Sequence, residues 1–594
     1  DMGWGDFSCF GNEAAQTPNV DLMAKEGVRF EQFYVNSPIC SPSRTAISTG
    51  QYPQRWKITS YLSNRNHNEQ RGMAQWLDPK APMLARSLQQ AGYATGHFGK
   101  WHMGGQRDVS DAPQITAYGF DASLTNFEGM GPKLLPLTLK PGQDPKTPGR
   151  IWGDAERLGK GVRWMQRSKI TEGFVDEAIP FMKEAAKAEK PFYVNLWPDD
   201  VHSPFWTPVD KWGNGKRELY LSVLREMDRQ FGKLFDFVRD DVALRKNTLV
   251  LICSDNGPEQ GAGVSGPFRG YKTHLYEGGV RSSLIAWGPG LIPSNNNESM
   301  GKVNEKSVFS AVDLVPTLLE LADVPHPEGV KYDGESLPDV LLGKSDASRK
   351  QPLLFRRPPD RDAYYGDNDL PDLAIREGKW KFLCEYDGSD AELFDMEADR
   401  SETKNLAAKH PELVARLTKA CIDWHKSLPP DNGPSMVHKP KKRIQKSAYD
   451  FKQGENLSGG ESPFCEGRKV TIRAMFESKG KDGVILAQGG DKAGYSLYIR
   501  DSKLVLGVRR DWKLTEAVAT PLLEGSTAVV ATIGRTGKMS ISVAGKQVAT
   551  ADAKGKLTQP GDGLQVGNDL NKPVGKYTAT KFPGKITKLR LQFD

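Results

Sequence analysis

An α/β domain, then a small α+β subdomain, then an all-β sandwich is the fold class this sequence predicts. Three observations carry it. Up to about residue 345, short apolar runs alternate with helical stretches, and polar residues collect where each run ends. Between about 350 and 427 a hairpin-like pair of runs precedes one amphipathic helix. Beyond a Pro-, Gly- and Lys-rich stretch, short alternating strands are separated by Gly and Asp turns. The expected boundaries are 1–345, 346–427, a linker at 428–447, and a sandwich at 448–594. A chain of 594 residues is too long for one core, so several domains are required.

The first element is the run "VRFEQFYVNSP", rich in aromatic and β-branched residues, a strand with its exit loop. "ICSPSRTAISTG" follows. Pro42 suits a first helical turn, so Cys40 falls at or just before a helix N-terminus, where unpaired N–H groups favour negative charge. Arg44, one turn on, adds a fixed cation. "YATGHFGKWH", "PFYVNLWPDDVH" and "NTLVLICSDNG" share one plan: a buried parallel strand with functional groups at its C-terminal end. "DLVPTLLELADV" is a helix with Asp313 as its expected cap. "LAIREGKWKFLCEYDG" is a hairpin-like pair of strands, and the helical "HPELVARLTKACIDWHKSL" follows it. In the tail, "KVTIRAMFES" sends Val470, Ile472, Ala474 and Phe476 to one face.

Composition narrows the function. There are 81 basic and 74 acidic residues, a net charge of +7. That mild excess gives no argument for nucleic acid and suits an anionic substrate. No run is long and apolar enough to span a membrane. Six scattered cysteines show no zinc spacing and no disulfide framework, with a single disulfide left open. The abrupt start at "DMGWGDFSCFG" leads us to expect further residues upstream of Asp1.

At the strand ends stand Asp1; Cys40 with Arg44; Lys100 and His102; and His202, Asp255, Asn256 and Lys272. Taken singly, each has an ordinary structural explanation. Together they form a chemical set. Carboxylate and amide oxygens suit a hard cation such as Ca²⁺. Two lysines and an arginine beside it suit a tetrahedral oxyanion. Two histidines suit proton transfer near neutral pH.

The motifs "CSPSR" with "TAISTGQYP", "GYATGHFGKWHMG", "DMGWGDFSCFG", "SDNGPEQG" and "YKTHLYEGGVR" resemble those of the formylglycine-dependent, arylsulfatase-like sulfatases of the alkaline phosphatase-like superfamily. The likeness covers about residues 1–427. It implies an alkaline phosphatase-like mixed sheet flanked by helices. It also implies Ca²⁺ held by Asp1, Cys40, Asp255 and Asn256, and oxidation of Cys40 to formylglycine by an external maturase. In such a site the formylglycine hydrate attacks sulfur, and Lys100 and Lys272 hold the sulfate. His202 protonates the departing alcohol, His102 takes a proton as sulfate is expelled, and Arg44 holds the hydrate. The family pairs two aspartates at its opening metal motif; Asp1 matches the second. A periplasmic or secreted location is the family expectation.

The tail resembles a laminin-G or concanavalin-like jelly roll, with carbohydrate binding as the expected role. The substrate expectation is therefore a sulfated carbohydrate. Its selectivity contacts are sought in "RWKITSYLSNRNHNEQRG" and "FRRPPDRDAYYG", at Arg55, Trp56, His67, Glu69, Arg71, Arg356 and Arg357. Two alternatives stand beside this: a phosphonate or phosphate diester hydrolase of the same superfamily, and a non-catalytic sulfated-glycan binding protein.

Overall fold

The computed structural model describes residues 1–594 except 107–108, 160, 214, 293–300, 360–369, 431–445, 458–461, 479, 491–492, 511–512, 522–524, 561–562 and 570–572. The chain divides into two units, Asp1–Val437 and His438–Asp594. Most of the expected linker and the end of "FRRPPDRDAYYG" lie outside the described residues.

In the first unit, one sheet runs in the order Lys302–Asn304, Val28–Tyr34, Arg281–Trp287, Val250–Cys253, and a second in the order Gly149–Arg150, Lys133–Thr138, Ala122–Thr125, Ala94–Gly99, Phe192–Trp197. Ala94–Gly99 pairs in parallel with both Ala122–Thr125 and Phe192–Trp197. Val250–Cys253 does not fit the parallel expectation: it pairs antiparallel with Arg281–Trp287, so that sheet is mixed. A strand's own sequence does not encode its neighbour's direction.

Arg281–Trp287 is buried along its whole length. Ile285 and Trp287 join one core with residues of the helices Pro18–Glu26 and Lys216–Asp240, while Leu284 and Ala286 join another with Ala311 and Leu314. Alternate residues thus meet different cores, and helices cover both faces of the sheet. The helix Ala311–Leu321 is capped by Ser310. Asp313, expected as the cap, is instead the third helical residue, and it closes a capping box by accepting from the Ser310 N–H.

A third sheet, antiparallel, runs Leu353–Arg356, Leu373–Glu377, Trp380–Cys384, Glu392–Asp395. The helix Pro411–Ser427 packs on it through Leu417 and Cys421. None of the six cysteines is joined in a disulfide.

The second unit is two antiparallel sheets around one core. Val470–Ser478 alternates after its first residues, with Ile472, Ala474 and Phe476 buried and Arg473, Met475 and Glu477 exposed. Burying a Phe or Ile here contributes roughly 1.5–3 kcal/mol.

Candidate active site

Strand ends bring the chemistry together. The helix Cys40–Thr49 begins at Cys40, after the strand Val28–Tyr34 and its loop. Lys100 follows the last residue of Ala94–Gly99, and its N–H donates to the Trp197 carbonyl at 2.8 Å, so the adjacent strand fixes it. His202 follows Phe192–Trp197, and Asp255 and Asn256 follow Val250–Cys253. Lys272 sits on a loop whose N–H groups reach Pro258 (from Lys272, 3.0 Å) and Pro38 (from Thr273, 2.9 Å).

Asp1 is the hub. Its Oδ2 lies 2.6 Å from Lys272 Nζ and 3.4 Å from His202 Nε2. Its Oδ1 accepts from Asn256 Nδ2 at 2.8 Å, and its backbone nitrogen lies 2.9 Å from Asp255 Oδ1. Arg44 Nε donates to Asp255 Oδ2 at 2.9 Å and Nη1 to the Lys100 carbonyl at 2.9 Å, with the guanidinium 5.0 Å above the Trp197 ring. Ligand atoms of Asp1, Cys40 and His202 all fall within 4.8 Å of one another.

Charge governs protonation here. Burial pushes the Cys40 thiol up, but Lys100, Lys272 and Arg44 outweigh burial and Asp255, and hold it below its ordinary value. Burial also opposes ionisation of Asp255, yet Arg44 and Lys100 draw its carboxyl below the usual range. Burial, Lys272 and Lys100 all depress His202. Its Nδ1 donates to the Ser203 carbonyl at 2.7 Å, which leaves the Nε2 lone pair facing Asp1.

The turn bearing Asp255 and Asn256 is pressed against the Lys272 loop. A methyl group at Gly257 would lie 2.0 Å from the Gly278 carbonyl oxygen, and one at Gly279 2.0 Å from the His274 carbonyl oxygen. Only glycine permits that backbone approach.

His102 is buried and has polar partners of its own, with Lys100 and Arg44 among its charged neighbours. Its Nε2 lies 3.0 Å from the Leu62 carbonyl and its Nδ1 3.2 Å from Glu128 Oε1. The selectivity candidates are engaged locally. Arg55 grips Asp333 through Nε and Nη2, at 2.7 and 2.5 Å. Arg71 is buried, donates to the His67 carbonyl and Asn68 Oδ1, and stacks 4.6 Å over Tyr61. His67 lies edge-on to the same tyrosine ring at 5.8 Å. Arg357 donates to the Thr273 carbonyl at 3.3 Å, beside Lys272.

Sequence reasoning missed two supports. Arg167 donates to Asp199 Oδ1 at 2.6 Å, and the Asp199 carbonyl accepts from the His202 N–H at 3.0 Å, which steadies the His202 loop. Glu128 partners His102; its only signal is a lone carboxylate in the aromatic, Gly-rich run "NFEGMG".

Comparison with known proteins gives a consistent result. The Sulfatase family matches residues 1–324. The chain is 32% identical over 372 residues to N-acetylgalactosamine-6-sulfatase of Canis lupus familiaris, covering 60% of this chain and 67% of that one. It is 28% identical over 526 residues to arylsulfatase G of Rattus norvegicus, covering 80% and 91%. Among solved structures, that of Ps i-CgsB in complex with k-i-k-neocarrahexaose matches with a TM-score of 0.59 at 25% identity, covering 74% of this chain and 93% of that one.

Proposed function

The chain belongs to the sulfatase family, and from that premise we propose a carbohydrate sulfatase that works through formylglycine made from Cys40 and a bound Ca²⁺. Sulfuric ester hydrolysis is the activity of the family and of the relatives above. One observation carries the finer reading: Lys100 and Lys272 converge on the buried Cys40 thiol beside a cluster of hard oxygens.

The residues fit the cation. Asn256 Oδ1 is buried and accepts no hydrogen bond, an orphaned acceptor next to the Asp1 and Asp255 carboxylates. Asp1, Cys40, Asp255 and Asn256 would hold it. As encoded, the Cys40 sulfur is a soft donor that would favour zinc; its conversion to formylglycine replaces sulfur with oxygen and leaves a set suited to Ca²⁺. When present, the two groups supply a Lewis acid and a hydroxyl nucleophile.

The chain's own groups do the rest. Lys100 and Lys272 bind the sulfate oxygens and follow their charge into the transition state. Arg44 orients the Asp255 carboxylate through two nitrogens. His202 Nε2 passes a proton to the departing alcohol oxygen. Without an anion, burial and the two lysines keep His202 neutral; sulfate bound between the lysines offsets their charge and favours the protonated ring. His102 serves the release of sulfate.

A carbohydrate substrate is supported by the printed names of the relatives, an N-acetylgalactosamine-6-sulfatase and a structure with a bound neocarrahexaose. Arg55, His67 and Arg71 stay candidates for framing its sugar ring. The sandwich at 448–594 is proposed to bind carbohydrate, the maturase to act on "CSPSR", and the setting to be periplasmic or secreted. Among the described residues no helix is long and apolar enough to cross a membrane.

A panel of defined sulfated oligosaccharides, with sulfate release as readout and phosphate diesters in parallel, tests the reading. Turnover of the diesters with none of the sulfated sugars would overturn it.

A further inference from the structure

We propose that Glu128 is the positioning residue of His102, fixing the imidazole as its Nε2–H tautomer and sharing a single proton with Nδ1. The Leu62 carbonyl only accepts, so His102 Nε2, 3.0 Å away, must donate. That leaves Nδ1 as the ring's variable atom, and Glu128 Oε1 lies 3.2 Å from it. Either the carboxyl carries the proton and both groups are neutral, or the ring carries it and the two form an ion pair. In each case one proton moves between two atoms, and the net charge of the pair is zero.

The surroundings hold this geometry from both sides. Leu62 is tied to the nucleophile's helix: its N–H donates to Ser41 Oγ at 2.9 Å while its carbonyl accepts from His102. Ring orientation is thereby set by the residue next to Cys40. On the other side, Lys133 Nζ reaches the carbonyls of Asn126, Glu128 and Gly129, at 3.1, 3.3 and 2.6 Å, and locks the loop that presents Glu128. His102 also adopts a left-handed backbone, φ 54°, a conformation non-glycine residues seldom take.

Both side chains are buried, Glu128 at 0% exposure. The charged or titratable neighbours are Lys100, Arg44, Cys40 and Lys133. Burial raises Glu128, against the pull of His102 and Lys100. Burial drops His102 to about 3, against the pull of Glu128. Both directions place the resting proton on the carboxyl, leaving an Nδ1 lone pair 3.2 Å from Glu128 Oε1, and among the described residues neither buried atom has another hydrogen-bond partner.

The test uses the full chain labelled with ¹⁵N-histidine, in its unmodified Cys40 form, with the His102 signals assigned by their loss in His102→Asn. This arm does not depend on the sulfatase reading. The wild type should show a protonated Nε2 and a hydrogen-bonded, unprotonated Nδ1. Glu128→Gln should keep that pattern, because its amide N–H also donates to Nδ1. Glu128→Ala should lose it and mix the two tautomers. Wild-type ring signals in Glu128→Ala, or a protonated Nδ1 as the resting tautomer of the wild type, would overturn the proposal.

The kinetic arm rests on the proposed function and uses the mature enzyme. Glu128→Gln holds the ring but cannot exchange a proton with it. It should lower kcat by roughly 10²-fold, flatten the pH profile of kcat, and leave KM near wild type. Thermal melting confirms that this near-isosteric variant is folded. An unchanged kcat and pH profile in folded Glu128→Gln would refute proton sharing even if the tautomer result held.

Discussion

Glu402→Gln should stabilise the first unit at pH 8 and leave it unchanged at pH 5. Glu402 is fully enclosed with Lys381, whose Nζ lies 2.8 Å from Glu402 Oε1 and 2.9 Å from Glu277 Oε1. Its other oxygen accepts from the Glu277 N–H at 2.7 Å. One lysine thus serves two carboxylates. Glu277 is held down at about 2, because Lys381, Arg281 and Arg376 overcome its burial. Glu402 goes the other way: burial, with Glu277 adding, lifts it from 4.5 to about 7 despite Lys381. The native protein therefore keeps a proton that the unfolded chain gives up above pH 4.5, and stability falls as pH rises from 4.5 through about 7. At 1.36 kcal/mol per pH unit, the change corresponds to roughly 3 kcal/mol. Glutamine mimics the protonated acid and escapes the loss. Urea titrations at pH 5 and pH 8, followed by tryptophan fluorescence, measure it, and other titrating groups cancel between the two proteins. Parallel loss of stability in both between pH 5 and 8 would show that Glu402 does not hold that proton.

Peptide mass analysis of protein from its native host should find an aldehyde at position 40. Cys40→Ala should abolish turnover while melting stays close to wild type, and active protein carrying only the thiol would refute the maturation reading. Chelation should remove activity and Ca²⁺ restore it, with elemental analysis as the check; zinc in the native site would count against the oxygen-ligand argument. His202→Ala should slow a sugar sulfate by about 10²–10⁴-fold and nitrophenyl sulfate far less, since a nitrophenolate leaves without a proton. Lys100→Ala should damage both alike, and equal single-turnover losses in His202→Ala would remove His202 as the leaving-group acid. Deleting the second unit should spare a small aryl sulfate and weaken action on a polymer; equal losses would make the sandwich part of the catalytic unit.

The residues that converge were those marked by local pattern. Cys40 opens a helix after a strand; Lys100, His202, Asp255 and Asn256 end apolar runs, and each such run has a strong period or a sharp boundary. What escaped lies in contacts between distant segments. Glu128 meets His102, and Arg167 meets Asp199, only after folding; each follows a short strand, Ala122–Thr125 and Val162–Gln166, whose sequence is not a marked apolar run. Strand direction escaped for the same reason: Val250–Cys253 looks like its parallel counterparts, and its antiparallel neighbour is set by the chain's return through Arg281–Trp287. Asp313 was read as a cap because its carboxylate precedes an apolar helix; Ser310 upstream made it half of a reciprocal pair.

The glycine contact between the Asp255–Asn256 turn and the Lys272 loop has a consequence for how this enzyme is altered. With Gly257 against the backbone of Gly278 and Gly279, and Gly279 in turn against the His274 carbonyl of its own loop, no side chain cushions the two segments. On the proposed roles of Asp255, Asn256 and Lys272, a side chain at Gly257 is expected to displace the cation's oxygens and the sulfate's lysine together. Metal affinity and anion affinity are then inherited together, and a library that varies one segment alone will mostly return proteins defective in both. A site for a larger anion is better sought by exchanging residues 255–279 as a single cassette, which keeps the contact between the Asp255–Asn256 turn and the Lys272 loop intact.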